Sequence, residues 1–204
     1  MRLLLATTNL GKAEELAAGL RDLPLELRTL RDLPQIKAPA EEAETLKENA
    51  EAKSTYYHTV SGLPVLADDS GIFVEALGDE LGVHTRRWGA GADATDQEWI
   101  AYFLKRMEKE PHRRARFICV LAFTDESGTS YFEGVCDGTI TETVEAPYPK
   151  GLPLTGCFRP DGYDLVFAAL GTTGKGAVSH RGRALKRFRS YLSARLDGLK
   201  PIES

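Results

Sequence analysis

The chain has 204 residues, 42% hydrophobic and 27% charged, which suits a single globular domain long enough to bury a sizeable core. Its formal net charge is −4, so no global basic field recruits nucleic acid, and no apolar run approaches the ~18 residues that membrane crossing needs. Cys119, Cys136 and Cys157 form no C-x-x-C pair and leave an odd count, and MRLLLATTN is too poor in apolar residues for a signal peptide. Free thiols and a cytoplasmic location are therefore expected, with no nucleic-acid or membrane partner.

Arg2 to Ala6 reads as a first strand, followed by Thr7-Thr8-Asn9-Leu10-Gly11-Lys12 and a helix through Leu20. A strand, a short Gly-containing polar loop and a helix aim free N–H groups and a positive dipole end at the loop. That is either a phosphate site, to which Lys12 adds a charge, or an ordinary turn capped by Asn9. It is not a Walker A loop, which needs two glycines and GK[ST]. Leu25 to Leu30 is a second candidate strand, and residues 31–44 are loop-like. Thr45 and Glu48 have capping-box spacing and start a helix, which gives Glu48 a structural task. Asn49 and Lys53, four apart, share a face of it.

Leu63 to Leu66 reads as a short buried strand running into Ala67-Asp68-Asp69-Ser70-Gly71. Two adjacent carboxylates repel and gain nothing by burial unless cations or donors compensate. The stretch is thus either a metal-binding or general-base site at a strand end, or a solvated turn. A return strand is expected over Ile72 to Ala76, then a glycine-rich segment carrying Arg86, Arg87 and Trp88. Asp93-Ala94-Thr95-Asp96-Gln97 caps a helix to about Met107, with Ile100, Phe103, Leu104 and Met107 as its core stripe. Phe117 to Phe123 and Tyr131 to Ile140 read as antiparallel strands, with Gly134 and Gly138 suggesting a bulge or bend. Pro147, Pro149, Gly151, Pro153, Gly156, Pro160 and Gly162 shape a loop over 146–162. A last helix begins near Ser179 as its cap and runs to about Leu196, with Arg183, Lys186, Arg187 and Arg189 as a solvated basic face. His180 and Arg181 stand in its first turn, where cations are disfavoured, so an anion is expected beside them.

T-x-N-x-G-K at 7–12, E-N-A at 48–50, A-D-D-S-G at 67–71, D-A-T-D-Q at 93–97 and S-H-R-G at 179–182 resemble the inosine triphosphate pyrophosphatase family. That resemblance implies an α/β, two-lobed fold with a long central mixed sheet flanked by helices and a cleft between the lobes, and a homodimer. It implies Mg²⁺-dependent cleavage of non-canonical purine nucleoside triphosphates (ITP, dITP, XTP) to monophosphate and pyrophosphate. Carried over, Thr7 to Lys12 hold phosphates. Lys53, Ser70, Lys175, His180 and Arg181 contact the nucleotide. Glu41, Asp68 and Asp69 bind metal, with Asp69 the general base.

The family's base pocket, F-G-[YW]-D-P, has its Asp about two dozen residues before S-H-R. Asp164, in Asp161-Gly162-Tyr163-Asp164, lies only fifteen before Ser179, whereas counting back twenty-four reaches Thr155. Leu152, Leu154 and Thr155 are therefore expected to replace the aromatics and the Asp. This keeps an apolar platform and loses base stacking worth ~1–3 kcal/mol. Base preference is expected to drift while the phosphate chemistry stays.

Overall fold

The computed structural model describes residues 1–33, 38–39, 42–78, 80–91 and 93–198. A six-stranded mixed sheet forms its centre, in the order β2-β1-β3-β4-β5-β6. The strands are β1 (Arg2–Ala6), β2 (Glu26–Thr29), β3 (Val65–Val74), β4 (Arg114–Asp125), β5 (Gly128–Ile140) and β6 (Phe158–Pro160). β1 runs parallel to β2 and β3, and the remaining pairs are antiparallel. The helices are α1 (Leu10–Leu20), α2 (Leu46–Ser61), α3 (Asp96–Arg106), α4 (Gly171–Val178) and α5 (His180–Gly198).

Local rules account for most helix starts. The Asn9 side chain accepts from Lys12 N–H at 3.1 Å, Thr45 from Glu48 N–H at 3.1 Å, and Thr95 from Glu98 N–H at 3.2 Å. Gly62 ends α2 at φ 67°, its N–H bonded to His58 O. Ser179 caps α5 by accepting from Gly182 N–H at 3.1 Å, as its sequence position suggests.

Residues 67–71 form neither the alternative solvated turn nor a strand end, and no separate return strand starts at Ile72. Asp68, Asp69, Ser70 and Gly71 lie inside one ten-residue strand, each paired with β4, from Val65↔Thr124 to Val74↔Ala115. β1 reaches only as far as Ala6↔Ala67, so from Asp68 onward β3 has one strand neighbour and one open edge. Further along, Thr85 closes that edge: its hydroxyl accepts from Ile72 N–H at 3.0 Å and donates to Gly82 O at 2.6 Å. Asp68 to Gly71 thus face a gap where one strand ends and another continues, the kind of place where α/β sheets bind ligands.

The expected bulge in β5 is also absent, because the β4–β5 register runs unbroken from Arg114↔Thr139 to Asp125↔Gly128. Gly134 instead lets α5 approach: a Cβ there would lie 2.0 Å from His180 O and 2.5 Å from Ala184 N. At Gly138 a Cβ would meet Arg159 O and the Phe158 ring. Helix α4 is not among the elements read from the sequence, and its Gly171, Gly174 and Gly176 are weak helix formers. Gly182 lets α5 approach the backbone of α4, a Cβ there falling 1.8 Å from Gly176 O.

The basic face of α5 is exposed at Arg183, Lys186 and Arg187, as expected, and part of it also binds the sheet. Arg183 donates to Val135 O at 2.7 Å and Arg187 to Glu133 O at 2.8 Å, so both occupy outward carbonyls of β5 where β6 does not reach. Arg189 binds Gly19 O and the Asp22 carboxylate.

Helices α1 and α5 cover one face of the sheet, packing with Leu3, Leu5, Leu66 and Leu121. α2 covers the other, against Leu4, Ala6, Val65, Ala67 and Val120. A separate apolar cluster joins Ile72 and Val74, at the far end of β3, to Trp99, Phe103, Phe117, Leu154 and Phe158. The cleft opens between these regions. Cys119, Cys136 and Cys157 are free and buried, and burial pushes the Cys119 thiol up to about 12, which removes it from the chemistry of the cleft. Among the described residues no helix is long and apolar enough to cross a membrane.

Candidate active site

Because side chains alternate along a strand, Asp68 and Asp69 point to opposite faces of the sheet. Asp68, with Leu66 and Ser70, faces α1 and α5. Its Oδ2 lies 3.2 Å from Lys12 Nζ and 3.2 Å from Arg181 Nη2, and Arg181 also donates to Ser70 Oγ at 3.0 Å. Asp69 faces α2, where Lys53 Nζ lies 3.1 Å from Asp69 Oδ1 and donates to Asp68 O at 2.6 Å. The repulsion expected between adjacent carboxylates is thus relieved twice. The pleat separates them, and each face supplies its own cations.

The two carboxyls titrate in opposite directions. Burial pushes Asp68 up, but Lys12, Arg181 and Lys53 together hold it well below the usual carboxylate range. Burial raises Asp69, and Lys53 and Lys12 do not offset it. His180 is held well below the usual imidazole range by burial and by Arg181, Lys175 and Lys12, so it is neutral at pH 7. Its ring stacks on Phe117 at 4.6 Å and 10°.

Sequence reading missed Glu15, which ion-pairs with both Lys175 and Arg181. Lys12 and Glu15 are three apart on α1, so they share a face, and that spacing was the available signal. Burial raises the Glu15 carboxyl, and Arg181 and Lys175 more than reverse the effect. The anion expected beside the start of α5 is therefore already present as protein carboxylate, Asp68 and Glu15.

Most of these groups line a cavity of about 420 Å³. Thr7, Thr8, Asn9, Lys12, Lys53, Asp68, Asp69, Ser70, Lys175, His180 and Arg181 all reach it. Leu10 and Gly11 do not: Leu10 is exposed, and Gly11 is buried where a Cβ would meet Leu152 at 2.8 Å. Leu152, Leu154 and Thr155 also line it, while Tyr163 and Asp164 stand exposed outside it. The Leu152–Thr155 loop is fastened at Gly151, whose carbonyl accepts from Asn9 Nδ2 at 2.9 Å and whose N–H donates to Asp96 Oδ2 at 2.6 Å. Trp99, Phe117, Val83, Thr85, Arg86 and Arg87 also line the cavity and were not singled out from the sequence. Glu41 lies outside the described residues.

The sequence model of the Ham1 family matches residues 3–191. The chain belongs to the Ham1 family. A dITP/XTP pyrophosphatase of Thermus thermophilus is 42% identical to it, over 100% of this chain and 96% of that protein. A dITP/XTP pyrophosphatase of Geobacter sulfurreducens is 38% identical over 94% of this chain and 96% of its own length. Among solved structures, a HAM1 protein from Coxiella burnetii superposes with a TM-score of 0.80 at 32% identity, covering 95% of this chain and 99% of that one. The fold and family implied by the five motifs are thus those of the Ham1 proteins.

Four cations (Lys12, Lys53, Lys175, Arg181) and three carboxylates (Glu15, Asp68, Asp69) meet in this Ham1 site, which suits a polyanion arriving with a divalent cation. Asp68 Oδ1 is buried and has no hydrogen-bond partner among the described residues. An orphaned carboxylate oxygen of this kind fits a hard cation, and Mg²⁺ keeps several waters and takes only one or two carboxylates.

Proposed function

We propose that this chain is a Mg²⁺-dependent nucleoside triphosphate pyrophosphatase that converts non-canonical purine nucleotides (ITP, dITP, XTP) to monophosphate and pyrophosphate. The observation that carries the reading is the cage of Lys12, Lys53 and Arg181 around Asp68 and Asp69, joined by Lys175 through Glu15, in a cavity that apolar residues also line. The printed names of the Thermus and Geobacter relatives support the same activity.

Thr7, Thr8, Asn9, Lys12, Lys53, Lys175 and Arg181 bind the triphosphate. Asp68, with Asp69 and Glu41, would hold Mg²⁺, which when bound supplies positive charge against the phosphate oxygens. Asp69 accepts the proton of a water as its oxygen bonds to the α-phosphorus. The bond from that phosphorus to the bridging oxygen breaks, and pyrophosphate leaves with its charge met by the lysines and Arg181. The site works on free nucleotides in the cytoplasm within one domain, and the family resemblance supports a homodimer.

The test is pyrophosphate release from ITP, XTP, ATP, GTP, dATP and dTTP side by side with Mg²⁺. Release from ITP and XTP, nearly abolished in Asp69→Asn with nucleotide binding retained, is the expected result. Binding without release from any triphosphate would make the chain a nucleotide-binding module instead. A second reading, the same chemistry with drifted base preference, is favoured by Leu152, Leu154 and Thr155 in place of aromatics and an Asp. A strong preference for ITP over ATP and GTP would refute it.

A further inference from the structure

The loop that carries Leu152, Leu154 and Thr155 is gripped at Gly151. Its carbonyl accepts from Asn9 Nδ2 at 2.9 Å and its N–H donates to Asp96 Oδ2 at 2.6 Å, so side chains from two other elements take both of its backbone groups. Its φ of 80° suits glycine, and an added Cβ would lie 2.7 Å from Asn9 Nδ2. A second contact runs beside the first: a Cβ on Gly11 would meet Leu152 Cδ1 at 2.8 Å and Lys150 O at 3.0 Å. The loop therefore sits directly on the start of α1, where Asn9 Oδ1 accepts from Lys12 N–H at 3.1 Å. Beyond Gly151, Leu152 O accepts from Thr155 N–H at 3.1 Å and from Thr155 Oγ1 at 2.7 Å. Leu152 to Thr155 form one hydrogen-bonded turn, whose placement follows that of Gly151.

Asp96 differs from the other members of this arrangement. Asn9, Gly151 and Leu152 line the cavity, and Asp96 does not. It is the first residue of α3, where a carboxylate ordinarily serves the helix start. Other groups already do that: Thr95 Oγ1 accepts from Glu98 N–H at 3.2 Å, and Glu98 Oε2 accepts from Thr95 N–H at 2.8 Å. The Asp96 carboxylate instead reaches an amide of the cavity wall, 55 residues away in the chain. A carboxylate accepting from an N–H makes the stronger class of hydrogen bond, and it ties the loop to α3 as Asn9 ties it to α1.

We propose that Asp96 is a positioning residue: by holding Gly151 it keeps the wall of Leu152, Leu154 and Thr155 in register with the phosphate-binding start of α1, so that one nucleotide touches both. This rests on the nucleotide reading above and deepens it. The consequence is selective. A ligand made only of phosphate needs the ionic cage and the start of α1, whereas a nucleotide also needs the wall, and a wall displaced by about 1 Å loses it.

The test uses ITP and inorganic triphosphate as probes, both with Mg²⁺. In Asp96→Ala, KM for ITP should rise about tenfold with kcat nearly unchanged, while Ki for inorganic triphosphate as a competitor stays within about twofold. Asp96→Asn keeps an acceptor oxygen at the same place and should restore KM for ITP. Thr95→Ala removes the α3 cap and leaves the Gly151 bond, so it should lower Tm without moving KM. An unchanged KM in Asp96→Ala, equal losses on both probes, no rescue by Asp96→Asn, or the same rise in Thr95→Ala would overturn the assignment. A second measurement needs no variant. The Gly151 amide proton should exchange slowly in the free chain and more slowly still with ITP, but not with inorganic triphosphate. Fast exchange in the free chain, or no difference between the two ligands, would overturn the proposal. If the chain binds ITP and releases no pyrophosphate, the hydrolase reading falls, and the same comparisons read as Kd decide for or against Asp96. If it binds inorganic triphosphate and not ITP, the nucleotide reading falls and the role of Asp96 with it.

Discussion

At the scale of single residues, the site depends on which charges are placed against which. Asp68 and Asp69 are neighbours in sequence, yet the pleat gives them different cations and opposite titration shifts. Glu15 shows the same logic one layer out. It touches neither Asp68 nor Asp69 directly, but it neutralises Lys175 and Arg181 where both are buried. Removing its charge leaves two buried cations short of a partner, so Glu15→Gln is expected to lose about 3 kcal/mol of stability at pH 7. The pH dependence has a definite sign. The folded carboxyl of Glu15 titrates below its ordinary value of 4.5, so near and below that pH the unfolded chain binds the proton more readily. The stabilisation is complete above 4.5 and is lost as the pH falls through the lower folded value. Urea unfolding of both proteins at pH 7 and pH 4 should show the gap between them narrowing in acid. A gap that widened would mean that Glu15 is not the charged partner of Lys175 and Arg181.

At the scale of elements, local rules carried well where the signal was local. Asn9, Thr45, Thr95 and Ser179 each sit at a helix start because their side chains accept from amides three residues on. The sequence misled where pairing decides. Asp, Ser and Gly are depleted in strands, so A-D-D-S-G left open a turn or a site at a strand end, but ten consecutive pairs with β4 carry the strand through it. Gly134 reads as a bulge or bend because what it accommodates, the backbone of α5, is distant in sequence. Arg183 and Arg187 are exposed as their sequence suggests, but their bonds to the open edge of β5 are not legible from it. Gly134 has a functional consequence, since it sets the depth at which the first turn of α5 delivers His180 and Arg181. An added methyl in Gly134→Ala meets only backbone, which cannot move alone, so α5 must shift by roughly 1 Å. A displacement of that size can cost about a hundredfold in rate, with about 1–3 kcal/mol of strain. Gly62→Ala, at positive φ with open space around it, should cost about 1–2 kcal/mol and leave turnover intact. Comparing kcat/KM and melting temperature across the two variants separates displacement of the site from loss of stability. Equal turnover in both would remove Gly134 from the positioning of α5.

At the scale of the whole molecule, the ionic cage lies where the apolar packing changes hands. Leu66 belongs to the cluster under α1 and α5, Ile72 to the cluster around Trp99, and the two aspartates come between them on the same strand. The cations of the cage come from α1, α2, α4 and α5, so one polyphosphate would tie four helices to the strand they surround. Any ligand that binds the folded chain alone must stabilise it, by about 2.7 kcal/mol at a hundredfold its Kd. For a chain of this length each kcal/mol raises Tm by roughly 2–4 °C. Saturating ITP with Mg²⁺ should therefore raise Tm by about 5–10 °C, scanned in the Asp69→Asn variant so that the nucleotide survives. Inosine at the same concentration, lacking the phosphates, should raise it by less than about 2 °C, and chelating the metal should shrink the shift with ITP. If inosine stabilised the protein as much as ITP does, the dominant contact would be with the apolar lining, and the cage around Asp68 and Asp69 would not be the phosphate site.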